Sequence, residues 1–142
     1  MLIPDVNILV GALRPDSPSH EALRTWLADA VAGDEPVGLL DVAASDFLRV
    51  VTHPRVFDPP TPLRQAVGAI DDLLVAGCLW VSSGERQWAI LRDLLTTAKA
   101  RGNLVSDGHL AAVAIEHGAT LVSADRDFAR FPGLRWVDPL NP

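Results

Sequence analysis

The chain has 142 residues, 49% of them hydrophobic, and a formal net charge of -6, which fits one ordinary domain that buries a core without disulfides or a structural metal. The acidic balance argues against a surface that attracts nucleic acid unaided, and the single cysteine, Cys78, excludes a disulfide scaffold and fits a reducing, cytoplasmic setting. Residues 1–13 carry Asp5 and no basic leader, and no later run reaches the roughly 20 apolar residues of a spanning helix, so a soluble protein with no membrane partner is expected.

Leu2–Val6 reads as a short strand, although Pro4 cannot donate to a central ladder, and Asn7–Leu13 as a short helix stopped by Arg14-Pro15-Asp16-Ser17-Pro18. From Ser19 to Ala32, Ala22, Leu23, Trp26, Leu27 and Ala30 recur at helical spacing, with Ser19 as N-cap and Gly33 as stop. Val37–Leu40 is a second strand. Asp41–His53 follows as a helix ended by Pro54, with Asp41 its natural cap. After Asp58-Pro59-Pro60-Thr61-Pro62 comes a helix over Leu63–Ala76, then a strand over Cys78–Val81. A longer helix, Glu85–Arg101, is closed by Gly102; another, Asp107–His117, by Gly118; Thr120–Ser123 and Arg135–Val137 are the remaining strands. Short apolar strands alternating with helices predict a parallel sheet covered on both faces, the three-layer α/β/α class.

Four aspartates stand out by position. Asp5 follows the first strand, where open parallel sheets bind ligands; Asn7 offers a second oxygen, and the alternative is a helix N-cap. Asp46 shares a helical line with Val42 and Val50, beside Ala43 and Val51, so the spacing predicts a carboxylate on the apolar side. There it needs a metal or an ion pair, for which Arg49 and Arg55 are the candidates. Asp107 opens its helix, where a favourable dipole interaction explains it as well as function does. Asp125 leaves the fourth strand, where turns favour aspartate for local hydrogen bonding.

Collected together, four carboxylates must hold protons or a divalent metal. Oxygen donors without cysteine or a paired-histidine motif favour Mg²⁺ or Mn²⁺ over zinc, and such an ion suits phosphodiester hydrolysis. The chain lacks a phosphate-cradling Gly-x-x-x-x-Gly-Lys, a Gly-x-Ser-x-Gly elbow and a dinucleotide fingerprint.

The whole length resembles PIN-domain proteins of the VapC type, the ribonuclease toxins of bacterial toxin–antitoxin pairs, most closely in PDVNILV (4–10), SDFLRVVTHPRVF (45–57) and NLVSDGHLAAVAIEHGATLVSADRDF (103–128). The resemblance implies one PIN domain over residues 1–142, a central parallel sheet of about five strands, Mg²⁺- or Mn²⁺-dependent endoribonuclease activity on tRNA, rRNA or mRNA, a homodimer, and inhibition by a cognate VapB-like antitoxin. It carries the catalytic and metal-binding roles onto Asp5, Asp46, Asp107 and Asp125. Asn7, Ser123 and Asp127 become auxiliaries; Arg55, Arg126 and His53 become candidates for RNA phosphate contact, against ordinary surface pairing. At Asp46 the family generally has glutamate, and the missing methylene withdraws the carboxylate by about 1.5 Å.

Two other readings compete with the nuclease. One is a PIN-fold RNA- or protein-binding scaffold whose site is too weak for metal. The other is a Mg²⁺-binding receiver-like module, which needs a strand-end lysine, whereas the sole Lys99 sits near the end of a helix. Trp26, Trp80, Trp88 and Trp136 are expected in core or interface packing rather than base stacking. The Leu63–Ala76 helix and its neighbours offer a partner groove.

Overall fold

Five three-residue strands, β1 (Leu2–Pro4), β2 (Gly38–Leu40), β3 (Leu79–Val81), β4 (Thr120–Val122) and β5 (Arg135–Val137), form the centre of the computed structural model, which describes all residues Met1–Pro142. β1 pairs with β4, β4 with β5 and β2 with β3, all parallel. A parallel bridge between Leu2 and Val37 joins the two small sheets, giving the order β3-β2-β1-β4-β5.

Pro4 explains why that junction is a single bridge. The Leu2 N–H donates to the Pro36 carbonyl on the β2 side at 2.8 Å, and the Asp5 N–H donates to the Val122 carbonyl on the β4 side at 2.9 Å. Amides alternate sides along a strand, so the missing N–H of Pro4 falls on the β2 side, where pairing stops. Pro4 therefore ends the strand, and Val6, expected as its last residue, starts the next helix.

Six α-helices cover the sheet: α1 (Val6–Leu13), α2 (His20–Ala32), α3 (Asp41–Val51), α4 (Leu63–Val75), α5 (Gln87–Ala98) and α6 (Asn103–Glu116), with a 3₁₀ turn over Arg126–Arg130. Strand residues alternate between the two faces. Ile3, Leu40, Val81 and Leu121 pack with α5 and α6, while Val37, Leu39 and Val122 pack with α1 to α4. Both cores are almost wholly aliphatic, and Cys78 is a small buried member of the second. The chain builds β1, β2 and β3 outward in one direction, then crosses the other face to place β4 beside β1. That reversal opens a crevice beyond the carboxyl ends of β1 and β4, the place where such sheets bind ligands.

The largest boundary differences lie around Gly102. The expected helix Glu85–Arg101 is shorter, ending at Ala98 with Lys99 in the left-handed conformation at φ 49°. Gly102, at φ 59° and ψ -133°, occupies backbone space that a side chain disfavours, and there it precedes α6 rather than closing α5. The expected start of the next helix at Asp107 moves back to Asn103, one turn earlier. Burial of Leu104 in the α5–α6 core accounts for the added turn. The Glu116 carboxylate accepts from the Gly84 and Arg86 amides at 2.7 and 2.8 Å, tying the far end of α6 to the entry of α5.

Two of the four tryptophans lie outside the core, which leaves interface packing as the expected role for them. Trp26 and Trp136 are half-buried, but Trp80 on the edge strand β3 and Trp88 on α5 are 53% and 65% exposed and stand outside the core.

Candidate active site

Asp5, Asn7, Asp46, Asp107 and Asp125 line one open cleft of about 410 Å³, together with Val42, Ser106 and His109. Five elements deliver them: the end of β1, the first turn of α1, the cleft side of α3, the second turn of α6, and the loop after β4.

Asp5 is only 5% exposed and forms the centre of a hydrogen-bonded knot. Its Oδ1 accepts from the Val6 amide at 2.6 Å, and its Oδ2 accepts from Asn7 Nδ2 at 2.8 Å and from the Ser123 hydroxyl at 2.7 Å. Capping and site-building are thus the same job here, because the carboxylate that closes the N-terminus of α1 faces the cleft. A carboxylate has about four acceptor positions, so one on Oδ1 stays open. Burial raises the Asp5 pKa; hydrogen bonds from Ser123 and Val6 oppose the rise, and the Asp125 and Asp46 carboxylates add to it.

Ser123, fully buried, ties the β4 loop to this knot. Its Oγ also accepts from Asn7 Nδ2 at 2.8 Å and from the Asp125 amide at 3.1 Å, and its carbonyl accepts from Trp136 Nε1 at 2.9 Å. Asn7 Oδ1 accepts from the Ala124 amide at 3.2 Å. Asp125 in turn accepts from the Asp127 amide at 2.9 Å, the local turn bond that its sequence context suggested.

Asp107 is half-buried and has no hydrogen-bonding cation beside it. Burial, then repulsion from Asp125, Asp5 and Asp127, pushes its pKa from 3.8 to about 6. Its position on the fifth residue of α6 removes the first-turn dipole explanation. Asp107, Asp125 and Asp127 can each place one carboxylate oxygen within 4.8 Å of the other two. That trio includes Asp127, read from sequence only as an auxiliary and not itself part of the cleft lining, while Asp5 and Asp46 line the cleft outside the trio.

Asp46 requires a correction. The buried side of α3 is Ala43, Ala44, Phe47 and Val51, whereas Val42 is 37% exposed. Val42 and Asp46 do share a face, as a spacing of four dictates, but it is the cleft face rather than the core. The Asp46 side chain is 53% exposed and its Oδ1 accepts from Arg49 Nε at 3.1 Å, the ion pair held open as the alternative. Arg55 and Arg126 are exposed, and His53 is half-buried with its Nδ1 accepting from the Arg55 amide at 3.0 Å; none lines the cleft.

Sequence reading missed His109 and Gln87. Gln87, only 9% exposed, reaches from α5 to His109 Nδ1 at 2.9 Å, and the other ring nitrogen has no protein partner. A buried glutamine at a helix start carried no periodic signal, and His109 falls two residues from Asp107, a spacing that does not suggest a shared site on a helix.

A PIN-domain model matches residues 2–134. Ribonuclease VapC43 of Mycobacterium tuberculosis is 46% identical over 142 residues, covering 99% of this chain and 97% of the relative. The structure of VapBC2 from Rickettsia felis bound to a promoter DNA fragment superposes with a TM-score of 0.71 at 20% identity, covering 96% of both chains. A toxin–antitoxin complex from Klebsiella pneumoniae gives a TM-score of 0.66 at 15% identity, with complete coverage of each chain. The solved structures establish the fold, a PIN-type α/β domain. The curated sequence match is finer: the chain belongs to the VapC ribonucleases of the PIN-domain family.

Proposed function

We propose that the chain is a Mg²⁺- or Mn²⁺-dependent endoribonuclease, the toxin of a toxin–antitoxin pair, whose cleavage of RNA restrains translation and growth. The observation that carries this reading is the carboxylate cleft beyond β1 and β4, in a chain that belongs to a family of ribonucleases.

The donors fit a hard divalent ion. They are all oxygen, three of them can converge within 4.8 Å, and Asp107 at a pKa of about 6 marks a place where negative charge is unmet by the protein. A bound ion there would polarise a phosphoryl oxygen and make water a better nucleophile near neutral pH. Asp107 and Asp125 would hold it, with Asp5 and Asp46 as the further carboxylates of the same cleft. Asp127 is the auxiliary nearest to this set, and Asn7 and Ser123 fix the carboxylate planes of Asp5 and the β4 loop. Without a bound ion, burial and the neighbouring carboxylates raise the Asp107 pKa to about 6, so near neutral pH its carboxylate is ionised and free to take up a cation.

The inhibitory partner we assign is a VapB-like antitoxin, consistent with the VapBC and toxin–antitoxin assemblies that share this fold. An apolar groove of about 380 Å³ between α1, α2 and α4, lined by Leu13, Leu27, Val31 and Leu73 with Arg24 at its edge, suits an amphipathic helix from it. Homodimerisation belongs to the same proposal. No helix of the structure is long and apolar enough to cross a membrane, in keeping with a cytoplasmic site of action.

Purified chain free of antitoxin, incubated with tRNA, rRNA and mRNA, tests the reading. Cleavage with Mg²⁺ or Mn²⁺ that disappears in Asp5→Ala and Asp107→Ala, with circular dichroism unchanged, is expected. A wild-type chain that leaves every RNA intact with either ion overturns it.

A further inference from the structure

The cleft presents a polyanionic substrate with a problem. Its lining contains four aspartates and no arginine or lysine, so any protein cation that meets the strand beside the proposed ion stands at the rim. Arg49 is the cation that the fold attaches there. It stands one turn along α3 from Asp46 and donates only through Nε, at 3.1 Å, leaving the two terminal nitrogens of its guanidinium without an acceptor. Neither Arg55 nor Arg126 has a side-chain bond to a cleft carboxylate, and none of the remaining ion pairs involves Asp5, Asp107 or Asp125.

We infer that Arg49 is a substrate-contacting residue of this site, whose guanidinium takes the phosphate oxygens of the RNA strand as Asp46 is released toward the cleft. The inference rests on the ribonuclease reading. Three features support it. The free terminal nitrogens of a planar guanidinium match two phosphate oxygens in a way an ammonium does not. The side chains of Arg49 and Asp46 are 66% and 53% exposed, so the pair is solvated and weakly held, and exchanging one oxygen partner for another costs little. The exchange also frees the Asp46 carboxylate, which lines the cleft, from its one side-chain partner.

Salt dependence distinguishes a phosphate contact from a merely structural pair. Binding of a single-stranded oligoribonucleotide is followed by fluorescence anisotropy at fixed Mg²⁺ and rising KCl, in an Asp107→Asn background that leaves the RNA uncut. Adding Arg49→Gln should weaken binding by about tenfold at low salt and flatten the slope of log affinity against log salt by about 0.7, the loss of one phosphate contact on a single strand. Arg49→Lys should keep the slope but bind severalfold more weakly, because charge is retained and the fork is lost. An unchanged slope and affinity in Arg49→Gln overturns the inference, as does full affinity in Arg49→Lys. A wild-type chain that cuts RNA while the Arg49→Gln slope is unaltered removes Arg49 alone. A slope that flattens while the wild type cuts nothing removes the ribonuclease reading and leaves the contact standing.

Discussion

Replacing Asp107 by asparagine should stabilise the metal-free protein while abolishing its activity. Asp107 has its pKa raised from 3.8 to about 6 by burial and three neighbouring carboxylates. The sign follows from linkage: between these values the folded state holds the proton more tightly than the unfolded state, so stability falls as pH rises through that window and stays lower above it. The displacement corresponds to about 3 kcal/mol for a fully shielded group. Asp107 is only half-buried, and solvent screening reduces the figure to about 1–2 kcal/mol. Urea unfolding in EDTA at pH about 4 and about 7.5 measures it. Asp107→Asn should match the wild type at the lower pH and exceed it by about 1–2 kcal/mol at the higher. A variant that is no more stable than wild type at pH about 7.5 would refute the reasoning, because the strain assigned to the ionised carboxylate would be absent.

Other sites give further expectations. Ser123→Ala removes a buried hydroxyl that bonds Asp5, Asn7 and the Asp125 amide, and should cost about 1–3 kcal/mol in denaturant unfolding; a neutral result would detach Ser123 from the knot. Asp46→Glu restores about 1.5 Å of reach and should tighten Mn²⁺ binding by about tenfold and quicken cleavage, read by calorimetry and a gel assay; weaker binding would show that the Arg49 pair, not reach, limits Asp46. Arg14, whose side chain is 11% exposed, stacks on Phe57 at 4.0 Å and bonds Asp16, Thr61 and the Pro59 carbonyl. Its replacement by alanine should lower stability by about 2 kcal/mol, and an unchanged unfolding midpoint would contradict this anchoring of the 53–62 segment.

Much of this architecture was legible because strand ends and helix stripes obey simple periods. Asp5 and Asp125 were placed correctly beyond strands, since short apolar runs flanked by turn residues mark parallel strands well. Asp46 shows the limit of the same logic: a spacing of four states which residues share a face, but not whether that face meets the core or a cleft. Gly102 shows another, since a positive-φ glycine can close one helix or open the next, and burial of Leu104 decided the matter. Gln87 and His109 were invisible because their contact joins two helices across the fold and leaves no pattern along the chain. The exposure of Trp80 and Trp88 was equally hidden, as an edge strand and a central one look alike in a short apolar run.

The most direct test of the account is Mn²⁺ titration by calorimetry into wild type and Asp107→Asn at pH about 7.5. The wild type should bind the ion, with Asp107→Asn at least about tenfold weaker. Absence of binding to the wild type, or equal affinity in the variant, would contradict a divalent-ion site at this cleft.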